Sequence, residues 1–126
     1  MTGRKVVVVE DNERNMKLFR EVLESSGYRT LEAETGEQAV ALTTEHRPDL
    51  VLMDIHLPDI DGVEALRMLR ADERTASVPV LALTAQAMEG DRERFIAAGF
   101  DGYLSKPVNI ADLLDAVRRY CGNGDQ

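Results

Sequence analysis

This chain has little that would anchor or staple it from outside its own core. It holds one cysteine, Cys121, so no internal disulfide can form, and a lone thiol fits a reducing cytoplasm. Near the C-terminus, Cys121 reads as a small apolar residue of the last helix. No apolar run approaches the roughly 20 residues of a membrane span. The first apolar run is only residues 6–9, with acids directly after it, which does not read as a signal peptide. Aromatics are scarce, with no Trp, three Tyr and three Phe. Cations are outnumbered, 15 Lys and Arg against 23 Asp and Glu, for a formal net charge of −8. No basic stripe interleaved with aromatics appears, which argues against an unaided nucleic-acid binder. The acidity favours metal cations, although most such charges belong to solvated helix faces.

What is present suits one domain. The 126 residues are enough to bury roughly two thirds of the unfolded surface. The folded core is expected over about 4–121, followed by a short tail at 122–126. In the most informative stretch, Leu50-Val51-Leu52-Met53 runs straight into Asp54 and then Ile55-His56-Leu57-Pro58. A short apolar run bounded by turn signals reads as a strand buried on both faces, in the middle of a parallel sheet. Asp54 then stands at the carboxyl end of that strand, where open α/β sheets build their sites.

The other elements follow in order. Residues 5–9 form a second buried strand, ending at Glu10-Asp11. Asn12 caps a helix to about Ser26, closed by Gly27, with Phe19, Val22 and Leu23 on one face and Leu18 beside it. Residues 29–33 read as a short strand, and Thr35 or Gly36 opens a helix that ends before Pro48. Residues 58–62 are turn chemistry, and 63–71 a helix with Ala65, Leu66 and Leu69 inward. Residues 78–83 form a buried strand ending at Thr84, with Pro79 near its start, where a missing donor is tolerated. A helix over 86–98 is closed by Gly99. The last strand, 101–105, ends at Lys106-Pro107, and Asn109 caps a final helix through Ile110, Leu113, Leu114 and Val117. Five strict strand–helix alternations with short connections imply a doubly wound α/β fold, a parallel sheet with helices on both faces.

Four of the five strands thus end in a polar group: Glu10 and Asp11, Asp54, Thr84, and Lys106. In a parallel sheet these ends share one edge. Clustered carboxylates repel unless a cation joins them. Carboxylate oxygens with a carbonyl and waters describe Mg²⁺ rather than Zn²⁺. Lys106 supplies a compact positive charge for phosphoryl oxygens, and the Thr84 hydroxyl a donor. A carboxylate can itself accept the phosphoryl group. Taken singly, each residue has a plainer reading as a cap, a turn residue or a surface ion pair; their joint occurrence at four strand ends points to phosphoryl chemistry.

The stretches Val-Val-Val-Val-Glu10-Asp11-Asn12, Leu-Met-Asp54-Ile-His-Leu-Pro58-Asp-Ile-Asp-Gly62, Leu-Thr84-Ala85 and Tyr103-Leu-Ser-Lys106-Pro107 resemble the receiver domain of bacterial two-component response regulators over nearly the whole chain. The resemblance implies a flavodoxin-like (β/α)5 fold with strand order 2-1-3-4-5. It implies that Asp54 accepts a phosphoryl group from a sensor histidine kinase or a histidine phosphotransferase. Asp11, Asp54 and the His56 backbone carbonyl would bind Mg²⁺, with Glu10 acting through water. Lys106 and the Ala85 backbone N–H would contact the phosphoryl group, Thr84 would move toward it, and Tyr103 would swing inward behind it. The face built from the 86–98 helix, the Tyr103 strand and the last helix would then address a downstream kinase or adaptor. His56 and Gln86 occupy positions that tune autodephosphorylation, and Lys106–Pro107 would be a cis bond.

The segments Glu-Asp-Asn-Glu-Arg-Asn-Met-Lys-Leu-Phe and Leu-Thr-Ala-Gln-Ala-Met-Glu-Gly-Asp resemble the DivK type of single-domain regulator, which implies a cytoplasmic role in cell division or cell fate and no DNA or membrane contact. Asn12, Asn15, Met16 and Leu18 are the docking positions this suggests, with core packing the competing reading of Leu18. Two alternatives stand beside a switch that turns over no separate substrate: a receiver cut from a hybrid histidine kinase, and a phosphohydrolase using Asp54 as nucleophile. Haloacid-dehalogenase-like hydrolases carry a second Asp two residues on, where this chain has His56.

Overall fold

The computed structural model describes residues 4–85 and 90–121. Gln86 and the 122–126 tail lie outside the described residues. The elements alternate without exception: β1 (Lys5–Val9), α1 (Glu13–Ser25), β2 (Arg29–Ala33), α2 (Gly36–His46), β3 (Leu50–Asp54), α3 (Gly62–Ala71), β4 (Val80–Thr84), α4 (Asp91–Ala98), β5 (Gly102–Ser105) and α5 (Ile110–Cys121). All strand pairs are parallel, in the order β2-β1-β3-β4-β5.

The burial of the strands follows from this order. Every residue of β3 and β4 is buried, and β1 is buried except at Lys5. The edge strands β2 and β5 are only partly covered. Alternation along each strand then sorts the apolar residues onto two faces. Val7, Val9, Val51, Met53, Val80 and Ala82 face one side, under Ala39 of α2, Leu66 and Leu69 of α3 and Phe95 of α4. Val6, Val8, Leu50, Leu52, Leu81 and Leu83 face the other, under Phe19 and Leu23 of α1 and Leu113 and Val117 of α5.

The helix starts obey their caps. Asn12 Oδ1 accepts from Asn15 N at 3.1 Å, Thr35 Oγ1 from Gln38 N at 3.1 Å, Asp61 Oδ1 from Glu64 N at 2.8 Å and Asn109 Oδ1 from Ala111 N at 2.8 Å. Gly27 and Gly99 take positive φ just beyond α1 and α4. Two strand starts differ from the sequence reading, and α3 begins one residue early, at Gly62. β4 begins at Val80, since Pro79 has no N–H and Val80 N donates to Asp101 Oδ2 at 2.8 Å rather than to a strand. β5 begins at Gly102, because Asp101 uses its side chain to close that start and to meet Arg70 Nη2 at 3.0 Å. The helix expected over 86–98 is described from Asp91 onward.

Leu52→Ala removes a fully buried side chain and should cost about 3 kcal/mol in urea unfolding, whereas Met68→Ala, at a side chain 43% exposed, should stay within about 0.5 kcal/mol. Burial also pushes the Cys121 thiol up to about 12. Native protein should therefore resist iodoacetamide at pH 8 and react readily once urea exposes an ordinary thiol, as intact mass would report.

Candidate functional site

The parallel register brings the strand ends to one edge. Val9 pairs with Met53 and Asp54 with Leu83, so the residues after β1 flank Asp54 on one side and the end of β4 flanks it on the other. Thr84 pairs with Ser105, and Lys106 N donates to Thr84 O at 2.7 Å. Lys106 is thereby delivered to the same edge. The Lys106–Pro107 bond is cis.

Lys106 Nζ lies 2.8 Å from Asp54 Oδ2 and 2.8 Å from Glu10 Oε1. Only the Asp54 contact has hydrogen-bond geometry. Glu10 is 1% exposed, and its Oε1 is a buried acceptor with an ion pair but no hydrogen bond. Its Oε2 accepts from Asn12 N at 3.1 Å. Asp54 Oδ1 accepts from His56 N at 3.0 Å. Each buried carboxylate therefore has one oxygen held by backbone and the other turned to Lys106.

Burial pushes the Glu10 pKa up, the nearby Asp54 charge pushes the same way, and Lys106 opposes both. Burial works against the Lys106 charge, but its hydrogen bond to Asp54 and its close ion pair with Glu10 outweigh this and hold the ammonium above its ordinary range. Lys106 thus stays charged at neutral pH, and the site has more negative charge than one lysine can balance.

Glu10, Asp11 and Asp54 each offer a carboxylate oxygen, all within 4.8 Å of one another. Two of these acids are buried and Asp11 is exposed. Hard oxygen donors gathered from three carboxylates and the excess negative charge fit a divalent cation such as Mg²⁺. The His56 side chain is exposed, in line with a rim position.

Thr84 is buried at the end of β4 and Ala85 is exposed directly after it. Tyr103 is half-buried on β5, its ring 5.8 Å from that of Phe95. Of the suggested docking residues, Asn12 is exposed, Asn15 partly exposed and Leu18 39% exposed. Leu18 lies outside the buried core. Met16 is 6% exposed and packed into the core beside Phe19, and what remains of its surface lines a pocket with Asp11 and Lys17. The sequence reading missed Pro107 and Val108, which with Leu18, Phe19, Ala85 and Lys106 line a groove of about 300 Å³ running from α1 to the site. No periodicity marks those two loop residues. It also left Gly62 as a turn residue, whereas a Cβ there would come within 2.5 Å of Asp54 O.

A family profile for the response regulator receiver domain matches residues 6–118. The polar-differentiation response regulator DivK of Brucella anthropi is 45% identical over 120 residues, covering 95% of this chain and 98% of its own length. The receiver domain of a sensor histidine kinase from Pseudomonas aeruginosa, solved with a magnesium ion coordinated in its active-site cleft, superposes with a TM-score of 0.88 at 41% identity, over 97% of this chain and 100% of that one. A Saccharomyces cerevisiae receiver domain, crystallised with its histidine phosphotransfer protein, superposes with a TM-score of 0.87 at 27% identity, over 96% and 91% of the two chains.

Because its folded pKa is raised, ionised Glu10 costs stability above its unfolded value of 4.5. Metal-free Glu10→Gln should therefore melt a few degrees higher than the parent at pH 7. The gain should disappear as pH falls below 4.5 and both states of the parent are protonated, which scanning calorimetry at several pH values would show.

Proposed function

This chain belongs to the response regulator receiver domain family, and we propose that within it Asp54 is the phosphoacceptor of a phosphorelay, loaded from a histidine in the presence of Mg²⁺. The family and the DivK relatives make the protein a two-component signalling switch rather than a turnover enzyme. The observation that carries the reading is Lys106 Nζ at 2.8 Å from both Asp54 and Glu10, beside Asp11.

In the proposed transfer an Asp54 carboxylate oxygen forms the bond to phosphorus as the donor's P–N bond breaks, the electron pair returning to the imidazole. Asp11, Asp54 and the His56 carbonyl would hold Mg²⁺, with Glu10 acting through water, and the ion would supply charge neutralisation for the phosphoryl oxygens. Lys106 leaves its ion pair with Asp54 to meet those oxygens, and Ala85 N–H donates to them. Positioning and charge neutralisation are most of what phosphoryl transfer requires. The added charge draws Thr84 toward it and favours an inward Tyr103, biasing an equilibrium between two arrangements. Tyr103, Leu104 and Ile96 border a groove of about 710 Å³ between α4, β5 and α5, the surface assigned to the downstream kinase or adaptor. The groove beside Leu18 and Val108, with Asn12 and Asn15, suits the histidine donor.

The DivK relatives at 45% identity, named for polar differentiation, support a role in cell fate; a part in cell division, played in the cytoplasm, belongs to the same proposal. Among the described residues no helix is long and apolar enough to cross a membrane. The likeness to a receiver from a sensor kinase favours, as a second reading, the same chemistry within a hybrid kinase.

Acetyl phosphate with Mg²⁺ should add one phosphoryl group to the intact mass. EDTA or Asp54→Asn should abolish the adduct. Sustained turnover of phosphate esters without an adduct would instead identify a hydrolase.

A further inference from the structure

The loop between β3 and α3 carries the His56 carbonyl, and it is fastened at two places. At its far end Gly62 N donates to Ile55 O at 2.9 Å, and a side chain at Gly62 would collide with Asp54 O. In its middle Asp59 reaches across to another element. Its Oδ1 accepts from Gly36 N at 2.8 Å and its Oδ2 from Glu37 N at 2.9 Å. One carboxylate thus takes two of the unsatisfied N–H groups in the first turn of α2. That helix already has a local cap in Thr35, so Asp59 is an additional fastening supplied from a distant loop. The contact is close: a Cβ on Gly36 would lie 2.4 Å from Ile60 Cγ1. His56 lies between Ile55, whose carbonyl Gly62 N–H holds, and Asp59, and its own N–H is given to Asp54 Oδ1.

We propose that Asp59 is a positioning residue for the cation site, holding the β3–α3 loop against α2 so that the His56 carbonyl stays in register with the Asp11 and Asp54 carboxylates. The inference rests on the reading of that carbonyl as a Mg²⁺ ligand. Mg²⁺ demands near-ideal octahedral geometry, so a ligand free to drift loses affinity. Outer groups that orient metal ligands are commonly worth 10–100-fold in binding.

The test is Mn²⁺ binding followed by electron paramagnetic resonance, together with the Mg²⁺ dependence of labelling by acetyl phosphate, on the whole chain. Asp59→Ala should weaken Mn²⁺ binding about ten-fold. It should raise the Mg²⁺ concentration for half-maximal labelling by a similar factor and leave the rate at saturating Mg²⁺ nearly unchanged. Thr35→Ala, which removes the local cap of the same helix, controls for loosening α2 and should leave Mn²⁺ affinity unchanged. Asp59→Asn, which keeps one acceptor oxygen, should fall between parent and Asp59→Ala. Unchanged affinity in Asp59→Ala would overturn the proposal. So would an equal loss in Thr35→Ala, which would assign the effect to helix stability, or an Asn variant as weak as the Ala variant, which would assign it to charge. If the parent chain binds no Mn²⁺ and takes no phosphoryl group, the phosphoacceptor reading itself fails.

Discussion

One ammonium group between two buried carboxylates is the interaction on which this structure turns. Glu10 and Asp54 are nearly inaccessible, and an unpaired charge in such a place costs several kcal/mol. Lys106 lowers that cost for both acids at once. It does so incompletely, because Asp11 adds a further carboxylate beside them. The result is a site held together by one cation and suited to a second. A phosphoryl group on Asp54 would return negative charge to the same place, and the lysine would have a new anion to follow. Storing and reading a charge is thus built into the unbalanced electrostatics of the strand ends.

The surroundings divide into fixed and adjustable parts. The three central strands are almost wholly buried, and their close packing leaves little room to move. The end of α3 is tied to the elements after it by Arg70, whose guanidinium donates to Val78 O at 2.7 Å, to Gly99 O at 3.0 Å and to Asp101 at 3.0 Å. That clamp secures the C-terminal end of α4 and the start of β5. Between this clamp and the site lie Thr84 on β4 and Tyr103 on β5, in strands that pair with each other. A change at the carboxyl edge therefore has a short path of packed residues to the α4–β5–α5 surface.

Most of the architecture could be read from the chain because its signals are local. The apolar runs at 6–9, 50–53 and 80–83 have no polar face to present to solvent, so they occupy the central positions. Asn12, Thr35 and Asn109 stand where helices begin and cap them. Where the reading slipped, a distant partner intervened. Val78 and Pro79 look like strand, yet the ladder starts two residues later, at Val80, where Pro79 has no N–H to give and Asp101 takes the Val80 N–H. Met16 stands among the docking positions that the resemblance suggests, and the helix turns most of it into the core. Asp59 looks like turn chemistry, and its bond to α2 depends on residues more than twenty positions away.

By itself the sequence determined the alternation of strands and helices, the sheet's parallel sense and the residues that stand at its carboxyl edge. Hydrophobic periodicity and capping act over a few residues, so they are written directly into the order of the chain. Only the tertiary structure decided which acid meets Lys106 and how closely, that Glu10 is buried while Asp11 is exposed, and which side chains remain free to meet another molecule. Those outcomes depend on distances between segments far apart in sequence, and packing sets such distances.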